Sequence, residues 1–306
     1  MSRYIYPVDY GISFHPAHAT YLKLDWKEVY SEMLTDLRPK FIRLAAAWNE
    51  VEPHENEYNF ADLDWMLDEA YKNGTKVTLV MGQKIPRWPE CHTPAWAITE
   101  TSKYEKNLFE YLEIVTRRYQ SHPALEIWQV ENEPFIHFVF GECSLYNQNL
   151  VEKEVEFVRS LDRSHPILMT DSGELGLWSR AARFSDYFGT TLYRVVRTPD
   201  GKIFHYRWLP PAFYRVKAKF FGIDPQSNMF ISELQGEPWF DELDVDQTPL
   251  EEQMQTMGHQ QFAENIVYVT KIGVPRVYLW GVEWWYWMKT KQGDPWYWDF
   301  VETVNR

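Results

Sequence analysis

Cysteine is almost absent from this chain: Cys91 and Cys143 are the two among 306 residues. That excludes a disulfide-built scaffold, and with two ordinary loop thiols a reducing cytoplasm is the expected compartment. No apolar run is long enough to span a bilayer, and the opening MSRYIYPVDYGISF lacks the basic-then-apolar order of a signal peptide, so no membrane partner is expected. Basic charge is also scarce. Against 44 Asp and Glu stand 31 Lys and Arg, a net charge of −13 that argues against nucleic acid as a partner. No Gly-rich phosphate loop follows the first strand-like segment, and there is no Gly-x-Ser-x-Gly elbow. Cys91, His92 and Cys143 match no zinc spacing. No cofactor or metal is expected. No linker or low-complexity stretch interrupts the chain, so residues 1–306 read as one domain of unknown oligomeric state.

Aromatic residues are plentiful: 17% of the chain, with 15 tryptophans. A core rich in large rings accounts for this, and so do exposed platforms for the C–H faces of sugars. Composition does not separate the two, so position must.

Strand-like and helix-like segments alternate from end to end. Candidate strands are YGISF (10–14), FIRLAA (41–46), KVTLVMG (76–82), LEIWQV (125–130), ILMTD (167–171), GTTLY (189–193), MFISE (229–233) and RVYLW (276–280). Several are near-continuous apolar runs, as parallel strands buried on both faces require. Between them, Asp25 with Glu28, Ser102 with Glu105 and Thr248 with Glu251 form capping-box patterns, the last with Pro249 at the first helical position. Phe60, Leu63, Leu67, Ala70 and Tyr71 make one apolar helix stripe that Gly74 stops; Tyr104, Leu108, Leu112, Val115 and Tyr119 make another. RYQSHPALEIW and LDRSHPILMT each end a helix, pass Ser-His-Pro and enter a strand, which reads as one βα unit repeated. Eight strands, each followed by a helix, form the plan of a single (β/α)₈ TIM barrel. The alternative is a doubly wound open sheet. VRTPDGKIFHYRW, after the sixth strand, reads as a hairpin turning at Pro-Asp-Gly.

In such a barrel the chemistry sits at the C-terminal strand ends. Two glutamates fall there: Glu133, closing the fourth strand in VENEP, and Glu233, closing the seventh in FISELQGEPW. A lone strand-end glutamate is more often a solvated charge or a helix cap. Two of them, over one aromatic-rich barrel, suit the paired carboxyl groups of a retaining glycosidase, about 5–5.5 Å apart.

The Asn-Glu-Pro closing strand four, with a strand-end glutamate on strand seven, resembles the clan-A retaining glycoside hydrolases. FIRLAAAWNEVEPHENEYNFADLDWMLDEAYKNGTKVTLV is similar to the strand-two to strand-three passage of clan-A β-galactosidases and their relatives. The resemblance implies that Glu133 is the acid/base and Glu233 the nucleophile. It implies that Asn132 bonds the sugar 2-hydroxyl, that Arg43 orients the nucleophile and that Tyr193 hydrogen-bonds it. Trp280 takes the place of the strand-eight aromatic that floors the sugar subsite. From the residues themselves, Glu283 and Trp284 after strand eight, and Trp88 after strand three, join as candidate substrate contacts. Glu131 shares the strand parity of Glu133 and competes with it; Glu237 competes with Glu233 but lies past a glycine in a loop-like stretch. The expected function is β-glycoside hydrolysis by double displacement, of the β-galactosidase, β-glucosidase or β-mannosidase type, with a carbohydrate substrate. A non-catalytic sugar-binding barrel and a transglycosylase using the same residues are the alternatives.

Overall fold

A computed structural model describes residues 4–99, 101–136, 141–198, 200–239, 245 and 247–305. The strands are β1 (Asp9–Ser13), β2 (Phe41–Ala45), β3 (Lys76–Met81), β4 (Leu125–Val130), β5 (Ile167–Asp171), β6 (Tyr187–Leu192), β7 (Val195–Arg197), β8 (Ile203–His205), β9 (Met229–Gln235) and β10 (Arg276–Trp280). Eight of them close into a barrel in the order β1, β10, β9, β6, β5, β4, β3, β2, with helices between successive strands. The expected (β/α)₈ barrel is borne out, and the open sheet is excluded. LEIWQV, ILMTD and RVYLW coincide with β4, β5 and β10, while β9 runs two residues past Glu233. The hairpin is β7 paired antiparallel with β8, and Gly201 at φ 77° supplies the left-handed turn residue.

The chain divides into two compact units, Phe41–Gly189 and Met1–Lys40 with Thr190–Arg306. In Phe41–Gly189, β2, β3, β4 and β5 pair in parallel, with Arg43 beside Thr78 and Met81 beside Val130. The helix Ala61–Lys72 buries Leu63, Met66, Leu67 and Ala70, whereas Tyr71, expected in the stripe, is exposed. The helix Tyr104–Tyr119 buries its whole expected stripe. Its start differs from the capping-box reading. Ser102 lies in a 3₁₀ turn, Thr101–Lys103, one residue too early to cap a helix that begins at Tyr104.

Cys91 and Cys143 are not free thiols. They form a disulfide across 52 residues of sequence, with their Cα atoms 5.1 Å apart. The reading of two loop thiols is corrected here. Loops that follow adjacent parallel strands leave the sheet at the same end, so distance along the chain does not measure distance in space. The cytoplasmic expectation thereby loses its chemical basis, because such bonds persist in oxidising surroundings. Among the described residues no helix is long and apolar enough to cross a membrane.

In the other unit, β1 pairs with β10 and β10 with β9, setting Ile12 beside Leu279 and Trp280 beside Gln235. Asp25 caps the helix Trp26–Glu32 through the Lys27 and Glu28 amides. Pro249, expected at the first helical position, is instead the residue just before the helix Leu250–Met257.

Candidate active site

Polar side chains inside otherwise apolar strands organise the C-terminal end of Phe41–Gly189. Arg43 on β2 is buried, and its guanidinium donates through Nε to Gln129 Oε1 (2.8 Å) and through Nη2 to Asn132 Oδ1 (2.7 Å). Asn132 Oδ1 also accepts from Thr170 Oγ1 (3.1 Å) and Gln129 Nε2 (3.3 Å). Three donors on one oxygen fix the amide's orientation and turn its NH₂ away from them. Arg43, expected to orient the nucleophile, is thus seen to hold Asn132.

Past Val130 the backbone leaves the strand. Glu131 (φ 60°) and Glu133 (φ 44°) are both left-handed, a conformation that costs a non-glycine residue about 1–3 kcal/mol and persists only where neighbours over-determine it. The neighbours are visible. The Glu133 amide donates to Thr170 Oγ1 (2.9 Å), and its carbonyl accepts from Lys84 Nζ (3.3 Å). Glu133 is half-buried, whereas Glu131 is fully buried, its two oxygens accepting the Gln83 and Lys84 amides (2.7 and 2.6 Å). Glu131 therefore cannot reach a substrate, and its competition with Glu133 ends. Burial pushes the Glu131 carboxyl upward despite those hydrogen bonds. Trp88 stands 66% exposed before Pro89, and His92 is buried, which pushes its imidazole below its ordinary value.

In the other unit Glu233 on β9 is 5% exposed, and its Oε2 accepts from Tyr193 Oη at 2.9 Å. The Tyr193 ring packs edge-on against Trp239, centroids 5.4 Å apart. Gln235, one turn of the β9 pleat further, grips the next segment. Its Oε1 accepts the Arg194 and Val195 amides (2.9 and 3.0 Å), and its Nε2 donates to the Val195 carbonyl (2.6 Å). Trp280 ends β10 with 7% exposure. Gly236 must be glycine, since a Cβ there would meet the Trp280 carbonyl at 2.6 Å and the Trp285 ring at 2.7 Å.

Glu283 is fully buried and accepts the His15 amide (2.7 Å), tying the chain after β1 to the chain after β10. Trp284 is also fully buried; its Nε1 donates to Gln253 Oε1 (2.9 Å) and its ring packs on Tyr297. Trp285 donates to the Gly236 carbonyl (2.6 Å). Glu237 lies in the loop after β9, as expected, but is not solvated. It is buried with its Oε2 3.8 Å from His18 Nε2.

Gln129, Thr170, Gln235 and Trp239 were not anticipated as site residues. The first three had a signal: each is a polar residue inside an otherwise apolar strand, as Arg43 is.

Comparison with known proteins supports the resemblance. The glycoside hydrolase family 42 model, described as beta-galactosidase, matches residues 22–101, a segment that holds Arg43 and Trp88. A β-galactosidase of Arthrobacter sp. is 26% identical over 116 residues, 30% of this chain and 16% of that enzyme. Mannan endo-1,4-β-mannosidase A of Podospora anserina is 24% identical over 147 residues, 44% of this chain and 36% of that enzyme. The chain thus spans well under half the length of these curated relatives. The structure of xylanase 10B from Thermotoga petrophila, in complex with xylobiose, superposes with a TM-score of 0.58 at 17% identity, over 90% of this chain and 82% of the xylanase. That likeness shows the fold. The similarities are thus to β-galactosidases and a β-mannanase, in line with the resemblance to clan-A glycoside hydrolases.

Proposed function

We propose that this chain is a retaining β-glycosidase that hydrolyses β-glycosidic bonds by double displacement, working over residues 1–306 as one catalytic domain. One observation carries the reading: a strand-end carboxylate, Glu233, is nearly buried and held by the Tyr193 hydroxyl at 2.9 Å. A solvated loop charge or a helix cap needs no such partner, but a nucleophile whose attack angle matters does.

In the first step a Glu233 oxygen bonds to the anomeric carbon as the glycosidic C–O bond breaks, and the Glu133 carboxylic acid gives its proton to the leaving oxygen. In the second, the Glu133 carboxylate takes a proton from water, whose oxygen bonds to the anomeric carbon and releases Glu233. Asn132, its oxygen engaged by Arg43, Gln129 and Thr170, presents its NH₂ to the sugar 2-hydroxyl. Trp280 floors the sugar, and Trp88 offers an exposed ring at the rim. Glu283 and Trp284 support the wall from behind, since both are fully buried. The match of residues 22–101 to the β-galactosidase model favours β-galactosides, ahead of β-glucosides and β-mannosides.

Aryl β-galactoside, glucoside, mannoside, xyloside and fucoside, with product NMR, test this reading. Turnover of at least one with retained configuration supports it. Inertness toward all five leaves the sugar-binding barrel instead, and product dominated by transfer to added sugar acceptors assigns a transglycosylase.

A further inference from the structure

Glu131 lies two residues before the acid/base, yet it is sealed from solvent and does work of its own. Its Oε1 and Oε2 accept the amides of Gln83 and Lys84, the turn that follows β3. The approach is so close that a Cβ on Gly82 would fall 2.4 Å from Oε1, and Gly82 itself sits at φ 127°. The gripped turn holds the catalytic segment in return. The Lys84 carbonyl accepts the Asn132 amide (2.7 Å), and Lys84 Nζ donates to the Glu133 carbonyl (3.3 Å). The Glu131 amide closes the loop on the Met81 carbonyl (2.8 Å).

A second carboxyl stands behind the first. Glu154, buried on the helix Val151–Leu161, interacts with the carboxyl of Glu131, and its Oε2 is buried with no donor among the described residues to satisfy it. Two buried carboxyl groups that interact in this way must share a proton. Glu131 accepts two backbone N–H groups, which favours its anion, so the proton resides on Glu154 and is donated to Glu131. Burial and the Glu131 charge both push the Glu154 carboxyl upward, in keeping with that assignment.

We propose that Glu131 and Glu154 are positioning residues that hold the Gln83–Lys84 turn, and through it Asn132 and Glu133, in the geometry that proton delivery requires. The proposal rests on Glu133 being the acid/base. Glu131 acts as a clamp with one negative charge, and Glu154 supplies the hydrogen that makes that charge tolerable in the interior.

The test compares Glu131→Gln, Glu154→Gln and Glu154→Leu with the wild type on aryl β-glycosides of graded leaving-group ability. Each is normalised to active sites by trapping with a 2-deoxy-2-fluoro glycoside and intact mass. In Glu131→Gln one backbone N–H faces an NH₂ instead of an oxygen, and the turn loosens. Poor leaving groups should then lose roughly 10²-fold in kcat/KM, toward the lower end of what a general acid contributes, while dinitrophenyl leaving groups change little. Glu154→Gln keeps a donor toward Glu131 and should stay near wild type. Glu154→Leu should reproduce the leaving-group-dependent loss. A merely structural role would lower the titratable fraction and leave normalised rates equal across substrates, and that outcome overturns the proposal. So does a Glu154→Gln as impaired as Glu154→Leu, a comparison that stands even where Glu131→Gln does not fold. A wild type inert toward every glycoside is a different failure: it removes the acid/base reading and the clamp's purpose with it.

Discussion

Tyr193→Phe deletes one oxygen from the site and leaves the ring against Trp239 in place. What is lost is a hydrogen bond from a neutral hydroxyl to the Glu233 carboxylate at 2.9 Å. Hydrogen bonds to charged groups contribute about 1.5–3 kcal/mol net. Glu233 is 5% exposed, which limits replacement by water, but Tyr193 is half-buried, which allows some. The lower half of that range applies, about 1.5–2 kcal/mol, or roughly 10–30-fold in rate. On the proposed mechanism the loss should fall on formation of the glycosyl-enzyme, the step assigned to attack by Glu233. The assay is the rate of covalent trapping by a 2-deoxy-2-fluoro glycosyl fluoride, followed by intact mass. Good and poor leaving groups should be affected alike, because the change touches the nucleophile and not proton delivery. Tyr193→Ala should cost more, since it also removes the packing against Trp239. A trapping rate for Tyr193→Phe within about twofold of wild type, under roughly 0.5 kcal/mol, would show that the hydroxyl does not orient the attacking carboxylate.

Glu133→Ala should spare activated aryl substrates most, and added azide should restore turnover with a β-glycosyl azide product; Glu233→Ala with azide should give the opposite anomer, and product NMR decides both. Reducing the Cys91–Cys143 disulfide, or replacing both residues by serine, releases a loop of 52 residues and should lower stability by roughly 4 kcal/mol on chain entropy, read as a lower Tm in reductant. The shared proton also makes a pH prediction. Burial and the neighbouring Glu131 charge raise Glu154 well above its ordinary value, so in the window above pH 4.5 the folded pair keeps on Glu154 a proton that the unfolded chain releases. Stability therefore falls as pH rises through that window, by roughly 1.4 kcal/mol per pH unit from this pair. The advantage of wild type over Glu154→Gln should accordingly be larger at pH 5 than at pH 7, and equal differences in denaturant titrations at the two pH values would refute the shared proton.

The barrel was legible because its cause is local. Strands buried on both faces leave uninterrupted apolar runs such as ILMTD and RVYLW, and those two segments match β5 and β10 residue for residue. Helix starts were less legible, since Ser102 and Thr248 satisfy the capping spacing, yet Ser102 lies within a 3₁₀ turn and Thr248 precedes a proline that takes the N-cap position. The disulfide was illegible for a different reason. Only the parallel pairing of β3 with β4 brings the loops after them together, and two cysteines 52 residues apart carry no sign of that.

Within the site, reagents and supports differ in how they show themselves. Glu133 and Glu233 stand out because carboxylates at strand ends are chemically conspicuous. Asn132 stands beside one of them, but what fixes it is Arg43, Gln129 and Thr170, from three different strands. Strand parity gave Glu131 and Glu133 equal claims, and parity fails here for a physical reason. β4 ends at Val130, and the left-handed backbone at Glu131 and Glu133 abolishes the alternation on which parity depends. The same departure turns Glu131 inward onto two amides and leaves Glu133 half-buried. One strained tripeptide thus divides two equivalent-looking glutamates into a buried acceptor of two amides, the proposed clamp, and a half-buried carboxyl, the proposed acid/base. The features that enforce the division, Gly82 and the Gln83–Lys84 turn, lie nearly 50 residues away in sequence.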